Sequence, residues 1–202
     1  MEEQISRIAA QVADRLFVEV EASGRHVHLT KDQAMTLFGH GLTPKRPLSQ
    51  PGQFVCQERV EVLGPKGSFP KVAVLGPERK EGQVEISLTD GVTLGLTAPV
   101  RLSGQVRESP GITLRGPKGE VRLLHGVIVA QRHIHMPPEE AAARGLTDGQ
   151  VVRPKMFTAR PLVFDDVVVR VDPSFTPRVH IDFDEANACA YQSGDFGMII
   201  RG

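Results

Sequence analysis

Four of the seven histidines in this 202-residue chain stand in two His-x-His pairs, His26/His28 and His133/His135. In a strand, residues i and i+2 project to the same side. Each pair can therefore offer two neutral imidazole nitrogens to one divalent ion, at about 2.0–2.1 Å. A single pair would suit a polar strand face equally well. Here the surroundings repeat: Arg25-His26-Val27-His28-Leu29-Thr30 matches Arg132-His133-Ile134-His135-Met136-Pro137. Each copy follows an apolar run and precedes a short helical pattern, and this favours metal binding by both pairs. His180, in Arg178-Val179-His180-Ile181-Asp182, lies opposite the apolar side of an expected strand and could complete one site. Glu85, in Gln83-Val84-Glu85-Ile86-Ser87, alternates in the same way, though an exposed carboxylate has the same signature. Arg79 sits on a loop ahead of Glu85. A guanidinium there suits bidentate capture of an anion, and a solvated charge fits as well. Arg25 and Arg132 point away from their histidine pairs. His40 and His125 read as surface or structural residues.

The elements that must position these side chains are mostly short strands. FVEVEA, RVEVLG, KVAVLG, QVEISL, VTLGLT, GITLRG, GVIVAQ, LVFDDVVVRV and RVHIDF are β-rich runs separated by Gly, Pro and Asp, the pattern of an all-β sandwich or barrel. The 20 glycines and 15 prolines exceed the roughly 12% typical of soluble chains, as frequent turns require. Gly64-Pro65-Lys66-Gly67 and Gly116-Pro117-Lys118-Gly119 both read as hairpin turns. Helical signals are few. Thr30 with Gln33 forms a capping-box pattern for 30–38. Pro137–Arg144 opens on prolines and acids and is followed by Gly145. Asp182 with Glu185 can cap a third helix running through Ala190. Residues 3–17 place Ile5, Ile8, Ala9, Val12 and Leu16 on one helical face. That helix either docks on its own domain or serves as a detachable targeting segment.

Composition excludes some functions. Lysine and arginine total 24 and aspartate and glutamate 24, so net charge is zero. This argues against a nucleic-acid binder working through bulk charge. Two cysteines, Cys56 and Cys189, with no CxxC, are too few for a disulfide framework or a thiolate zinc site, and suit a reducing compartment. The acidic N-terminus and the lack of a long apolar run give no sign of a signal peptide or membrane span.

Several motifs then resemble one family. Ser23–Leu29 (SGRHVHL), Leu48–Phe54 (LSQPGQF), Gly126–Met136 (GVIVAQRHIHM) and His180–Asn187 (HIDFDEAN) are similar, in this order, to the PduL-type phosphate acyltransferases, or phosphate propanoyltransferases. The resemblance runs from about residue 18 to the C-terminus. It implies a mainly β chain: two small β-barrel domains with short capping α-helices, plus the N-terminal helix. One domain would be discontinuous, 1–23 with 131–202, and 24–130 would be inserted in it. It implies a di-zinc site. His26, His28 and Glu85 would hold the first ion, with an open position for the coenzyme A sulfur. His133, His135 and His180 would hold the second. Arg79 would bind phosphate, and Ser23 and Ser103 would also belong to the catalytic centre. The implied reaction converts acyl-CoA (acetyl or propionyl) and phosphate to acyl phosphate and CoA, reversibly, by direct phosphate attack. No protein nucleophile is needed, so Cys56 and Cys189 are expected to be dispensable. Acyl-CoA, phosphate and acyl phosphate are the expected partners, with no nucleic acid and no membrane. A second copy of the chain, and microcompartment shell or lumen proteins acting through residues 3–17, are the candidate protein partners. The expected location is the cytoplasm or the interior of a bacterial microcompartment. Taken without the resemblance, the two histidine pairs also permit a di-metal hydrolase of esters or phosphoesters, or a metal-stabilised binding module without turnover.

Overall fold

A computed structural model describes residues 1–200. In chain order the elements are α1 (Glu2–Leu16), β1 (Phe17–Ser23), β2 (His26–His28), α2 (Lys31–Phe38), β3 (Pro44–Pro47), β4 (Phe54–Leu63), β5 (Ser68–Gly76), β6 (Gln83–Ile86), α3 (Leu88–Leu94), β7 (Val100–Arg101), β8 (Ile112–Arg115), β9 (Glu120–Leu123), β10 (Val127–Ala130), β11 (His133–Met136), α4 (Pro138–Ala143), β12 (Val151–Phe157), β13 (Val167–Val171), β14 (Arg178–Asp182), α5 (Phe183–Cys189) and β15 (Phe196–Ile200). The chain divides into two compact units, Met1–Ser23 with Arg132–Gly202, and Gly24–Gln131.

In the first unit six strands close a barrel in the order β1-β14-β11-β13-β12-β15. β15 returns antiparallel onto β1, so no strand edge is left unpaired. The β12 residues alternate between exposed and buried, sending Val152, Pro154 and Met156 inward. Val152 and Met156 meet Val20, Ile134, Val169, Val179 and Ile181 in the core. The second unit is a curled half-barrel sheet in the order β7-β10-β6-β2-β5-β4-β8-β9, with β3 added on β4. Val27, Leu29, Val74, Val84, Ile86, Leu114 and Val127 fill its core. The mainly β architecture with short helices is therefore as the sequence implied.

The helix ends follow local chemistry. Thr30 and Ser87 cap α2 and α3, and Asp182 caps α5, each in a reciprocal capping box with Gln33, Asp90 and Glu185 respectively. Gly39 and Gly95 end α2 and α3 in the left-handed conformation, at φ 79° and 77°. The two Gly-Pro-Lys-Gly segments are tight turns, joining β4 to β5 and β8 to β9. Gly64 N–H donates to Gly67 O at 2.8 Å and Gly116 N–H to Gly119 O at 2.9 Å. Each turn also serves a helix. Lys66 N–H donates to Leu94 O and Lys118 N–H to Leu37 O, both at 3.0 Å, satisfying carbonyls that a helix C-terminus would otherwise orphan.

Three sequence expectations change. VTLGLT is not a strand: its first half belongs to α3, because Ser87 and Asp90 nucleate a helix and Leu94 is buried on it. Apolar spacing over so short a run fits either period. In LVFDDVVVRV the segment expected as a strand, Val167–Val171, is one, and only the part ahead of it is not, Asp166 taking a positive φ of 52°. The strands β3, β7, β9, β12 and β15 lie outside the β-rich runs of the sequence. Helix α1 forms as expected. Of its apolar face, Ile5 is 59% exposed, Val12 49% and Leu16 48%, while the side chains of Ile8 and Ala9 lie outside the described residues.

A Cβ at Gly116 would collide with the carbonyl oxygen of Leu37 at the end of α2. Gly116→Ala is therefore expected to cost about 1–3 kcal/mol, read as a lower urea midpoint at unchanged m-value.

Candidate metal centres

In the second unit, β2 lies between β5, which runs parallel to it, and β6, which runs antiparallel. Val27 points into the core, so His26 and His28 share the other face. The β2/β6 register sets His26 opposite Glu85 and His28 opposite Gln83. His26, His28, Gln83 and Glu85 are all buried. His26 Nδ1 meets the carbonyl of Gly24 at 2.9 Å and His28 Nδ1 that of Leu75 at 3.3 Å. A carbonyl only accepts, so both Nδ1 atoms carry the proton. This tautomer turns each Nε2 toward the carboxylate: His26 Nε2 is 3.5 Å from Glu85 Oε2, and His28 Nε2 is 3.8 Å from Oε1. The three residues each offer a ligating atom within 4.8 Å of the others.

Burial alone would raise the Glu85 carboxyl. The charge of His26, with hydrogen bonds from His26 and Ser103, outweighs it and holds Glu85 well below the usual carboxylate range. His28 is lowered well below an ordinary imidazole by burial, and then by His26 and Arg79. His26 feels the same burial, but Glu85 prevails and raises it. The set thus holds an ionised carboxylate and a neutral His28, both ready to ligate. Two nitrogens and one carboxylate oxygen, with backbone-fixed tautomers, are a donor set that zinc accepts.

Arg79 lies on the loop between β5 and β6. Its backbone N–H donates to Leu29 O at 2.8 Å, and one guanidinium nitrogen donates to Ser103 Oγ at 3.0 Å. Its charge acts on both His26 and His28. Ser103 Oγ donates to Glu85 Oε1 at 2.9 Å and accepts from Gln83 Nε2 at 2.9 Å. With the Arg79 bond, this hydroxyl has used its one proton and both lone pairs. The structure thus brings His26, His28, Glu85, Arg79 and Ser103 together. Ser23 belongs to the other unit, at the end of β1, in register with Asp182.

In the barrel, β11 lies between β13 and β14. His133 stands opposite His180 across the antiparallel β11/β14 pair. Ring centroids are 4.6 Å apart for His133 and His135, 5.0 Å for His133 and His180, and 4.6 Å for His135 and His180. Their ligating atoms also fall within 4.8 Å of one another. His135 is buried, yet neither of its ring nitrogens has a hydrogen-bond partner. Burial holds its pKa down to about 2, with His180, His133 and Arg170 adding to the effect. A buried, neutral, unpartnered imidazole between two others needs an electron-pair acceptor. A divalent ion satisfies that need, and three histidines suit zinc.

Two residues near these clusters went unassigned in the sequence. Phe175 stacks on His135 with centroids 3.8 Å apart. It comes from a loop with no pattern to mark it. Gln83 shares Glu85's face of β6, and that i, i+2 spacing was its available signal. Arg25 and Arg132 have structural partners. Arg25 pairs with Asp90 at 2.6 Å and covers the Phe69 ring; Arg132 pairs with Glu185 at 2.8 Å. In both units the acid is the third residue of the helix that follows the strand opposite the histidine pair. His40 and His125 are exposed.

A family model described as phosphate propanoyltransferase matches residues 19–192. The chain belongs to the phosphate propanoyltransferase family. This is a family of acyltransferases, and its members resemble the chain along its length. A phosphate propanoyltransferase of Enterococcus faecalis is 52% identical, covering 100% of this chain and 95% of the relative. One from Clostridioides difficile is 50% identical over 100% and 97%. One from Listeria monocytogenes is 53% identical over 91% and 87%.

Metal loading is expected to stabilise both units. Zinc at a hundredfold excess over its dissociation constant should add about 2.7 kcal/mol per site, read as a higher unfolding temperature that a chelator reverses. His135→Ala should remove one bound equivalent and spare the other, measured by metal analysis after dialysis.

Proposed function

We propose that the protein is a phosphate acyltransferase that interconverts acyl-CoA plus phosphate with acyl phosphate plus CoA, for acetyl or propionyl chains. One zinc ion would be held by His26, His28 and Glu85, and a second by His133, His135 and His180. The observation that supports this reading most is the pair of buried donor clusters, one with an orphaned imidazole, in a chain about half identical to phosphate propanoyltransferases along its length.

A phosphate oxygen attacks the thioester carbonyl carbon, the C–S bond breaks, and CoA leaves as a thiolate. Phosphate is a weak nucleophile in dilute solution, so holding it in place supplies much of the rate. Arg79, anchored by Leu29 and Ser103, is the residue assigned to that task. When bound, the ions would supply Lewis acidity at the carbonyl and a partner soft enough for the thiolate sulfur. Ser23, at the end of β1, is assigned to the catalytic centre on the family resemblance. Neither cysteine takes part. Burial, then Glu58 and Glu78, push the Cys56 thiol up to about 12. Burial also raises the Cys189 thiol. Both remain protonated and non-nucleophilic. The domains proposed are 1–23 with 131–202, and 24–130 inserted between them; the compact units differ from these only in holding Gln131 with the insert.

The reading is tested with acetyl or propionyl phosphate and CoA, following thioester absorbance. Thioester should form, and a chelator should stop it. Acyl-CoA hydrolysis independent of phosphate would overturn the assignment. Arg79→Ala removes a charged hydrogen bond of about 1.5–3 kcal/mol. It should raise the phosphate KM roughly ten- to hundredfold while bound metal is unchanged.

Location follows as a second part of the proposal. Among the described residues no helix is long and apolar enough to cross a membrane. Helix α1, with Ile5, Val12 and Leu16 about half exposed, is the segment that would carry a cytoplasmic enzyme into a microcompartment. Removing residues 1–16 should leave turnover intact and abolish co-sedimentation with purified shells. Undiminished co-sedimentation would overturn this part.

A further inference from the structure

We infer that Gln83 is a positioning residue that fixes which oxygen Glu85 offers to an ion and ties that carboxylate, through Ser103, to Arg79. The inference rests on the metal and phosphate roles proposed above and assigns a residue they leave out.

Gln83 and Glu85 sit two apart on β6, facing His28 and His26 across the strand pair. Gln83 is 2% exposed, so each polar atom of its amide needs a partner. Its Oε1 accepts the backbone N–H of Gly104 at 2.8 Å. Its Nε2 donates to Glu85 Oε1 at 2.5 Å and to Ser103 Oγ at 2.9 Å. The amide orientation is dictated chemically: Gly104 N–H only donates, and an ionised carboxylate only accepts.

The consequence falls on Glu85. Its Oε1 receives two donors, Gln83 Nε2 and Ser103 Oγ, which occupy both lone pairs of that oxygen. Its Oε2 is turned toward His26 Nε2, 3.5 Å away. Oε1 also lies 3.8 Å from His28 Nε2, but with both lone pairs taken it leaves Oε2 as the oxygen set to ligate. The same amide holds the 103–104 loop at two points, Ser103 Oγ and Gly104 N, and Ser103 holds the Arg79 guanidinium. Two hydrogen bonds through Ser103 therefore connect the arginine to the carboxylate, and Gln83 Nε2 braces the second by bonding both of its ends. Glutamate at position 83 would set a second carboxylate against Glu85. An apolar residue would orphan the Gly104 N–H and free Oε1.

The test uses full-length Gln83→Met, which keeps the length of the side chain and removes its donors and acceptor. Loss of an outer hydrogen-bond partner typically costs ten- to hundredfold in metal affinity. Zinc competition with a chelator should show a loss of that size at one site. The cobalt-loaded protein should change its visible absorption, since Oε1 becomes available. At saturating metal the phosphate KM should rise about tenfold while the acyl-CoA KM holds. Unchanged affinity and spectrum, or an equal rise in both KM values, would overturn the inference. Ser103→Ala gives an independent reading if Gln83→Met does not fold. It keeps the Gln83–Glu85 bond but cuts the link to Arg79, so it should raise the phosphate KM, and Ser103→Thr should restore it. A wild-type phosphate KM in Ser103→Ala overturns the link. Wild-type protein that takes up no divalent ion would instead overturn the underlying metal reading, and this inference with it.

Discussion

Both candidate centres depend on one constraint: two short antiparallel strands must stay in register. On β2 and β6 that register sets His26 against Glu85. On β11 and β14 it sets His133 against His180. A slip of one residue would send every ligand to the opposite face. The intervening residues forbid it. Val27, Val84, Ile134 and Val179 are completely buried, and moving any of them outward would lose about 1.5–3 kcal/mol of burial. The apolar core of each unit thus specifies its polar site. The arginine–acid pairs add a second lock, tying the residue before each histidine pair to the helix beyond the facing strand.

A common local plan underlies all of this. His28, Glu85, His135 and His180 each stand two residues before a helix N-cap, namely Thr30, Ser87, Pro137 and Asp182. The cap stops the strand at a fixed distance from the ligand, and the short helix packs back on the sheet. The two sets nevertheless differ in chemistry. One includes an ionised carboxylate near an arginine; the other is three imidazoles with an aromatic ring stacked on one of them.

Much of this was legible in the sequence, for physical reasons. The repeated Arg-His-x-His-x runs mark strands because alternation encodes a face. The capping boxes encode helix starts because Thr30, Asp182 and their partners satisfy orphan donors within four residues. The Gly-Pro-Lys-Gly turns are equally local. What escaped depends on distant partners. VTLGLT has the apolar spacing of a short strand; the Ser87–Asp90 box ahead of it is local, but the burial of Leu94 in the core comes from distant partners. Val151–Phe157, interrupted by Pro154, becomes a strand because β13 and β15 flank it. Gln83 gains meaning from Ser103 and Gly104, and Phe175 from His135; neither pairing has a short-range signature.

The strand pairs that make the centres join segments far apart along the chain. Between β2 and β6 the chain makes α2, β3 and the long β4–β5 hairpin, and between β11 and β14 it makes α4, β12 and β13. Pairings of such high contact order close long loops before they gain any contact, which slows folding. No hairpin of sequence-adjacent strands contains a complete donor set. An ion captured by either set therefore acts on the finished tertiary structure alone: it slows unfolding without speeding collapse, so the unfolding rate is the quantity it governs.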